Sequence, residues 1–174
     1  MIKMAVFLGN FGKTYLKTRH NFAWMLCDKI SESGDITWQK KFRAFLAADT
    51  LNNRKVFLLK PLTYMNRSGE SVLSAMSYFR FLPEEILVAH DDLELSFGKI
   101  AFKEGGGMGG HNGLGSIARS TGTKSFKRLR LGISRPEHDN ISSYVLSRFS
   151  SEESKDIDGI LGKAAILFKK TILS

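Results

Sequence analysis

The apolar positions of this chain follow two alternating rhythms. Residues 2–8 (IKMAVFL), 55–60 (KVFLLK) and 86–90 (ILVAH) are short apolar runs, the second ended by Pro61 and the third lying shortly after Pro83. Runs of this length, rich in β-branched and aromatic side chains, read as strands buried within a sheet. Between them the period becomes helical. Phe22, Leu26, Cys27 and Ile30 share one face of residues 21–32, and Val72, Met76 and Phe79 share one face of residues 68–80. Strand and helix in alternation predict an α/β fold: a twisted mixed β-sheet with a largely parallel core, flanked by helices. No repeat, low-complexity tract or linker interrupts the 174 residues, so one domain covering 1–174 is expected.

Two later segments alternate as half-buried strands do. In residues 98–104 (GKIAFKE), Ile100 and Phe102 oppose Lys99, Ala101 and Lys103; in 126–133 (FKRLRLGI), Leu129, Leu131 and Ile133 oppose Arg128 and Arg130. The expectation is a solvated face carrying the cations. From about residue 151 a closing helix is predicted, opened by a capping-box pair, Ser150 and Glu153. Ile157, Ile160, Leu161, Ala164 and Phe168 form its apolar stripe, while Lys163, Lys169 and Lys170 read as solvated.

Charge changes the picture by suggesting a partner. Lys and Arg outnumber Asp and Glu by 26 to 17, a formal net charge of +9, which favours a polyanion such as nucleic acid. No stretch approaches the ~18–20 apolar residues of a membrane span, and the N-terminus has no secretory pattern, so a soluble, cytoplasmic protein is expected. Cys27, the single cysteine, has no disulfide partner within the chain and reads as packing.

Polar residues collect where the predicted strands end. Asn10 follows the first, Asn66 the second and Asp91 the third, and His20 stands at the start of the first helix. Ligands of open α/β sheets bind beyond the carboxyl ends of the strands, so residues distant in sequence can converge there. Each also has an ordinary reading: Asn10 as a turn residue, Asp91 and Asp92 as turn or cap residues, His20 and Asn21 as caps. Taken together, one His, one Asp and three Asn including Asn112 suggest a histidine base held by a carboxylate. With no Ser or Cys nucleophile evident, water is the natural nucleophile, and Asn amides suit holding it.

Residues 105–113 read GGGMGGHNG, with six glycines. Neither this run nor GNFGKTY has the spacing of a dinucleotide or Walker phosphate loop, so no nucleotide cofactor is expected. The glycines read as permissive backbone leading into a helix near Asn112, with His111 beside it. His20, His90, His111 and His138 show no metal-ligand spacing, and no metal is expected.

Along nearly its whole length the chain resembles the bacterial peptidyl-tRNA hydrolases. The resemblance rests on GNFGKTYLKTRHN, KPLTYMNRSGESV, ILVAHDDLEL, GKIAFKEGGGMGGHNGL, FKRLRLGISRP and YVLSRF, in the family's order and spacing. It implies a monomeric, metal-free esterase that cleaves peptide from tRNA. It also implies that His20 is the general base, Asp91 its carboxylate, and Asn10 the residue that discriminates N-blocked from free aminoacyl groups. Tyr15, Tyr64, Asn66 and Asn112 match residues lining the site for the acceptor end and peptide; Lys103 and Arg130 match the pair that grips a tRNA phosphate. The chain departs from the pattern at Phe11 and Ser96, where the family usually has Pro, and its C-terminus is short. Two rivals remain: a non-catalytic RNA-binding module of the same fold, as among splicing relatives, and a small-molecule α/β enzyme such as a nucleosidase or dehydrogenase.

Overall fold

Four consecutive residues that show at most 1% of their surface, Met4 to Phe7, form the middle of the sheet. The computed structural model describes residues 1–32, 34–138 and 140–174. Its strands are β1 (Met4–Phe7), β2 (Gln39–Lys41), β3 (Ala44–Leu51), β4 (Arg54–Pro61), β5 (Ile86–Asp92), β6 (Ile100–Glu104) and β7 (Lys127–Gly132). The helices are α1 (Phe22–Ser31), α2 (Ser68–Phe79), α3 (Asn112–Thr121), α4 (Ile141–Val145), α5 (Ser151–Ser154) and α6 (Ile157–Leu173).

The strands lie in the order β2-β3-β4-β1-β5-β7-β6. The central four, β4, β1, β5 and β7, run parallel, while β2, β3 and β6 pair antiparallel at the two edges. The largely parallel core anticipated from the continuous apolar runs is therefore present. One face buries α1 and α6 through Phe22, Leu26, Leu161 and Phe168; the other buries α2 and α3 through Val72, Met76, Leu114 and Ile117. The helices on this second face cross closely. A Cβ on Gly69 would lie 2.2 Å from the Ser116 carbonyl oxygen, and the Gly69 N–H donates to Ser116 Oγ at 3.0 Å.

Cys27 is buried, as expected of packing, and burial pushes its thiol up to about 12. The capping box is also present, with Ser150 Oγ accepting from the Glu153 N–H and Glu153 accepting from the Ser150 N–H. Two features differ from expectation. The edge pair β2–β3 was not anticipated, because its turn falls on Phe42 and Arg43, both at positive φ, and its charged residues break any apolar rhythm. The solvated cationic face is correct only in part. Lys103 is exposed, but Arg128 shows 3% of its surface and donates to the carbonyls of Gly105 and Gly107, and Arg130 is partly buried against Asp92. The glycine loop at 105–107 folds over Arg128, while Arg130 faces the cavity described below, so only part of that alternation reaches solvent.

Candidate active site

The parallel strands end on one side of the molecule, and there the chain leaves the sheet repeatedly for short turns. After β1 comes Asn10, whose side-chain Oδ1 accepts from the Met65 N–H at 2.7 Å, tying this loop to the 3-10 turn Met65–Arg67 that follows β4. Asn21 braces the same loop from the other side, accepting from the Asn10 N–H and donating to its carbonyl at 2.8 and 2.9 Å. With Oδ1 so engaged, the Asn10 Nδ2 is the end left to donate. The sequence marked Asn21 only as a cap; its bracing role had no signal, since the partner is eleven positions away.

His20 sits in the 3-10 turn Arg19–Asn21 that precedes α1. Arg19 anchors that turn, reaching Ser147 Oγ, the Arg148 carbonyl and Glu153 from a position over the Tyr144 ring. The turn therefore hangs between the sheet and the 144–153 segment. His20 Nδ1 lies 2.9 Å from Asp91 Oδ2 and 3.0 Å from Oδ1, although the two residues are 71 positions apart.

The same carboxylate holds a second imidazole. His111 Nε2 lies 2.8 Å from Asp91 Oδ1, and the two rings are 4.9 Å apart between centroids. The His111 tautomer follows from its other nitrogen. Nδ1 caps α3 by accepting from the N–H groups of Gly113 and Leu114, so it carries no proton and Nε2 must donate to Asp91. The sequence had placed His111 beside Asn112 without a role. Its contact with Asp91 depends on the turn made by Gly105, Gly106, Gly109 and Gly110, all at positive φ.

Electrostatics set the protonation states. Burial favours the neutral acid of Asp91, but the two histidines outweigh it and hold the carboxyl well below the usual carboxylate range. For His20, burial pulls the pKa down while the charge and hydrogen bond of Asp91 raise it, and the net result lies above the ordinary 6.5. The adjacent His90 is driven down to about 3 by burial and by His111; its Nδ1 is 2.8 Å from the Asp91 carbonyl, and its Nε2 has no partner among the described residues. His90 is thus a neutral wall of the site.

Histidine spacing in the sequence gave no metal set, yet folding brings donor atoms of His20, Asp91 and His111 within 4.8 Å of one another. The donor chemistry fits protons better than a cation. A metal on His111 Nε2 would have to evict its proton, and Nδ1 is not free to receive it.

A cavity of about 610 Å³ opens over these groups, lined by Asn10, His20, Asp91, Asn66, Asn112 and Lys103 among others. Asn66 and Asn112 are exposed. A Cβ on Gly113 would meet Met65 Sδ at 2.5 Å, so the missing side chain lets α3 approach the Met65 turn and bring Asn112 near Asn66. Arg130 also lines the cavity, its Nε donating to Asp92 at 2.7 Å. Lys103 lies opposite Arg128 in the strand register rather than opposite Arg130. Tyr15 and Tyr64 are outside the lining and pair with each other edge to face at 6.4 Å. Of the nine residues singled out for the site, seven therefore share one cavity.

The family model of the peptidyl-tRNA hydrolases matches residues 4–174. The chain belongs to the peptidyl-tRNA hydrolase family. It is 43% identical to the peptidyl-tRNA hydrolase of Brevibacillus brevis, over 94% of this chain and 88% of that one. The peptidyl-tRNA hydrolase of Neisseria meningitidis is 45% identical over 94% of this chain and 86% of its own length. In three dimensions the crystal structure of peptidyl-tRNA hydrolase from Acinetobacter baumannii superposes with a TM-score of 0.88 at 37% identity, covering 98% of this chain and 90% of that one. Among the described residues, no helix is long and apolar enough to cross a membrane.

Proposed function

We propose that this chain hydrolyses the ester joining a peptide, or an N-blocked aminoacyl group, to tRNA, with His20 as general base on water. One observation carries the reading: Asp91 takes the Nδ1–H of His20, which leaves Nε2 as a lone pair beside an open cavity. In the first step Nε2 removes a proton from water as the water oxygen attacks the ester carbonyl. The resulting imidazolium is stabilised by the buried Asp91 carboxylate. An amide from Asn66 or Asn112 donates to the oxyanion. When the tetrahedral intermediate collapses, the imidazolium returns the proton to the departing ribose oxygen, releasing free peptide and tRNA. Positioned proton transfer contributes ~10²–10⁴ in rate and one oxyanion donor ~10²–10³.

The remaining residues hold the substrate. Asn10 presents Nδ2 to the acyl group, so an N-blocked chain is preferred. Tyr15 and Tyr64 form the approach for the acceptor end. Asp92 orients Arg130 through Nε, which leaves its terminal N–H groups, with Lys103, for a tRNA phosphate. His111 keeps Asp91 ionised and fixed by donating to it throughout. A binding module without hydrolysis would have no use for a buried carboxylate shared by two imidazoles, and that favours the enzyme.

The test offers N-acetylaminoacyl-tRNA and unblocked aminoacyl-tRNA to the native chain and to His20→Ala, reading release of the acyl group. Selective cleavage of the blocked substrate, lost in the variant while tRNA still binds, supports the reading. Full activity in His20→Ala sinks it.

A further inference from the structure

Toward the opposite end of the sheet, Phe57, Tyr78, Phe79 and Phe81 form an aromatic layer that Phe42, in the β2–β3 turn, extends back along the sheet edge. Phe57 of β4 stacks on Phe79 at 4.2 Å between centroids, and Phe79 stacks on Phe81 at 5.3 Å. Phe42 and Tyr78 extend the layer, 5.2 Å from each other and 5.8 and 5.0 Å from Phe79. Phe42, Phe57, Phe79 and Phe81 are half-buried against the core beneath α2 and α3, and Tyr78 stands 62% exposed at the edge of the layer. Ammonium groups lie over the rings: Lys41 Nζ is 3.7 Å from the Tyr78 centroid, Lys55 Nζ 4.9 Å from that of Phe57, and Lys3 Nζ 5.6 Å from that of Phe81. Lys3 is neutralised by Glu85, but Lys41, Lys55 and Arg80 have no acidic group within 4.0 Å among the described residues.

Apart from Phe42, whose turn neighbours Pro61 through Ala44, the layer is set away from the cavity. Phe57 pairs with Met4 at the start of β1, ~10 Å from its far end at about 3.3 Å per residue, and Tyr78 and Phe79 lie at the far end of α2, ~16 Å from its start at 1.5 Å per residue. None of the five rings lines the cavity.

We infer that this aromatic and lysine layer is a second RNA-contact surface, taking an unpaired, single-stranded segment. Each nucleotide of such a segment brings a flat π-face for the exposed Tyr78 ring and a phosphate for an ammonium, and Tyr78 and Lys41 lie together on this surface. An acidic peptide would satisfy the lysines but bring no π-face for Tyr78. A second copy of this chain would bring its own uncompensated lysines against these. The inference goes beyond the hydrolytic reading and uses no residue of that site.

The experiment measures anisotropy of a fluorescein-labelled twelve-residue oligouridylate with the native chain, with Tyr78→Ser, with Lys41→Gln and with the two combined. The combined variant should bind about tenfold more weakly, the size of one lost base stack, while hydrolysis of N-acetylaminoacyl-tRNA is unchanged. Titration of the native chain should also shift the Tyr78 ring resonances. Unchanged oligouridylate affinity in the combined variant overturns the inference. So does a still Tyr78 ring, or loss of binding to polyglutamate or phosphatidylserine vesicles in place of RNA. Retained hydrolysis shows that any loss is not misfolding, and failure here leaves the His20 test standing on its own.

Discussion

The two ends of the parallel strands use polar chemistry in opposite ways. At the carboxyl ends, His20, Asp91 and Asn10 are at least 93% buried, and their engaged atoms are spoken for by partners 2.7 to 3.0 Å away. Toward the amino ends, the aromatic layer and its lysines stay half in water and touch through ring contacts rather than directed bonds. Directed bonds among buried groups fix an orientation and a protonation state. A half-exposed layer fixes neither and tolerates variation. Single substitutions should therefore matter far more at the first end than at the second.

The largest effect is expected at His20. Removing the base by His20→Ala should lower turnover by up to ~10⁴ with tRNA affinity unchanged, checked by single-turnover release and a binding titration. Asp91→Asn comes next, at about 10³ within the range for positioned proton transfer. Its diagnostic is the acid limb of the pH profile. The native limb should lie above 6.5, because Asp91 raises His20 and the base works only when neutral, so activity falls as pH drops through the raised value. Without the anion, burial alone remains and the limb should move to lower pH. A limb that does not move would break the contrast drawn between the two ends.

Packing beneath both ends gives the intermediate case. Gly69→Ala forces a Cβ against the Ser116 carbonyl and should cost ~1–3 kcal/mol of unfolding free energy, read in denaturant. Lys103→Ala sits at the wet rim of the cavity. It should leave turnover at saturating substrate intact and reduce the slope of log affinity against log salt by about 1. The smallest effect sharpens the comparison from the other side. Arg80 caps α2 in the left-handed region at φ 57°, where glycine is unstrained, so Arg80→Gly should stabilise the chain by roughly 0.5–1 kcal/mol. A large loss of hydrolysis in Arg80→Gly would show that the two ends are coupled.

Much of the fold was legible because β1, β4 and β5 are buried within the sheet and so form uninterrupted apolar runs, and because α1, α2 and α6 each bury one face. The β2–β3 edge was not, since Lys40, Lys41 and Arg43 tolerate solvent and erase the pattern. Arg128 misled for the converse reason: alternation shows that a residue faces away from its neighbours, not whether a loop then covers it. In the candidate site, strand ends pointed to Asn10, Asn66 and Asp91. Asn21 and the role of His111 stayed hidden, because one acts by bracing a loop and the other by a tautomer fixed at a helix cap.

By itself, then, the sequence determined the α/β alternation, the basic balance, the family and the residue types on offer at the strand ends. Tertiary structure alone decided that one carboxylate serves two imidazoles, that His111 donates rather than accepts, and that Phe42, Phe57, Tyr78, Phe79 and Phe81 meet as a layer. Periodicity records which side of its own element a residue occupies. Hydrogen-bond direction and ring contact depend on distances between elements, and no local pattern encodes those.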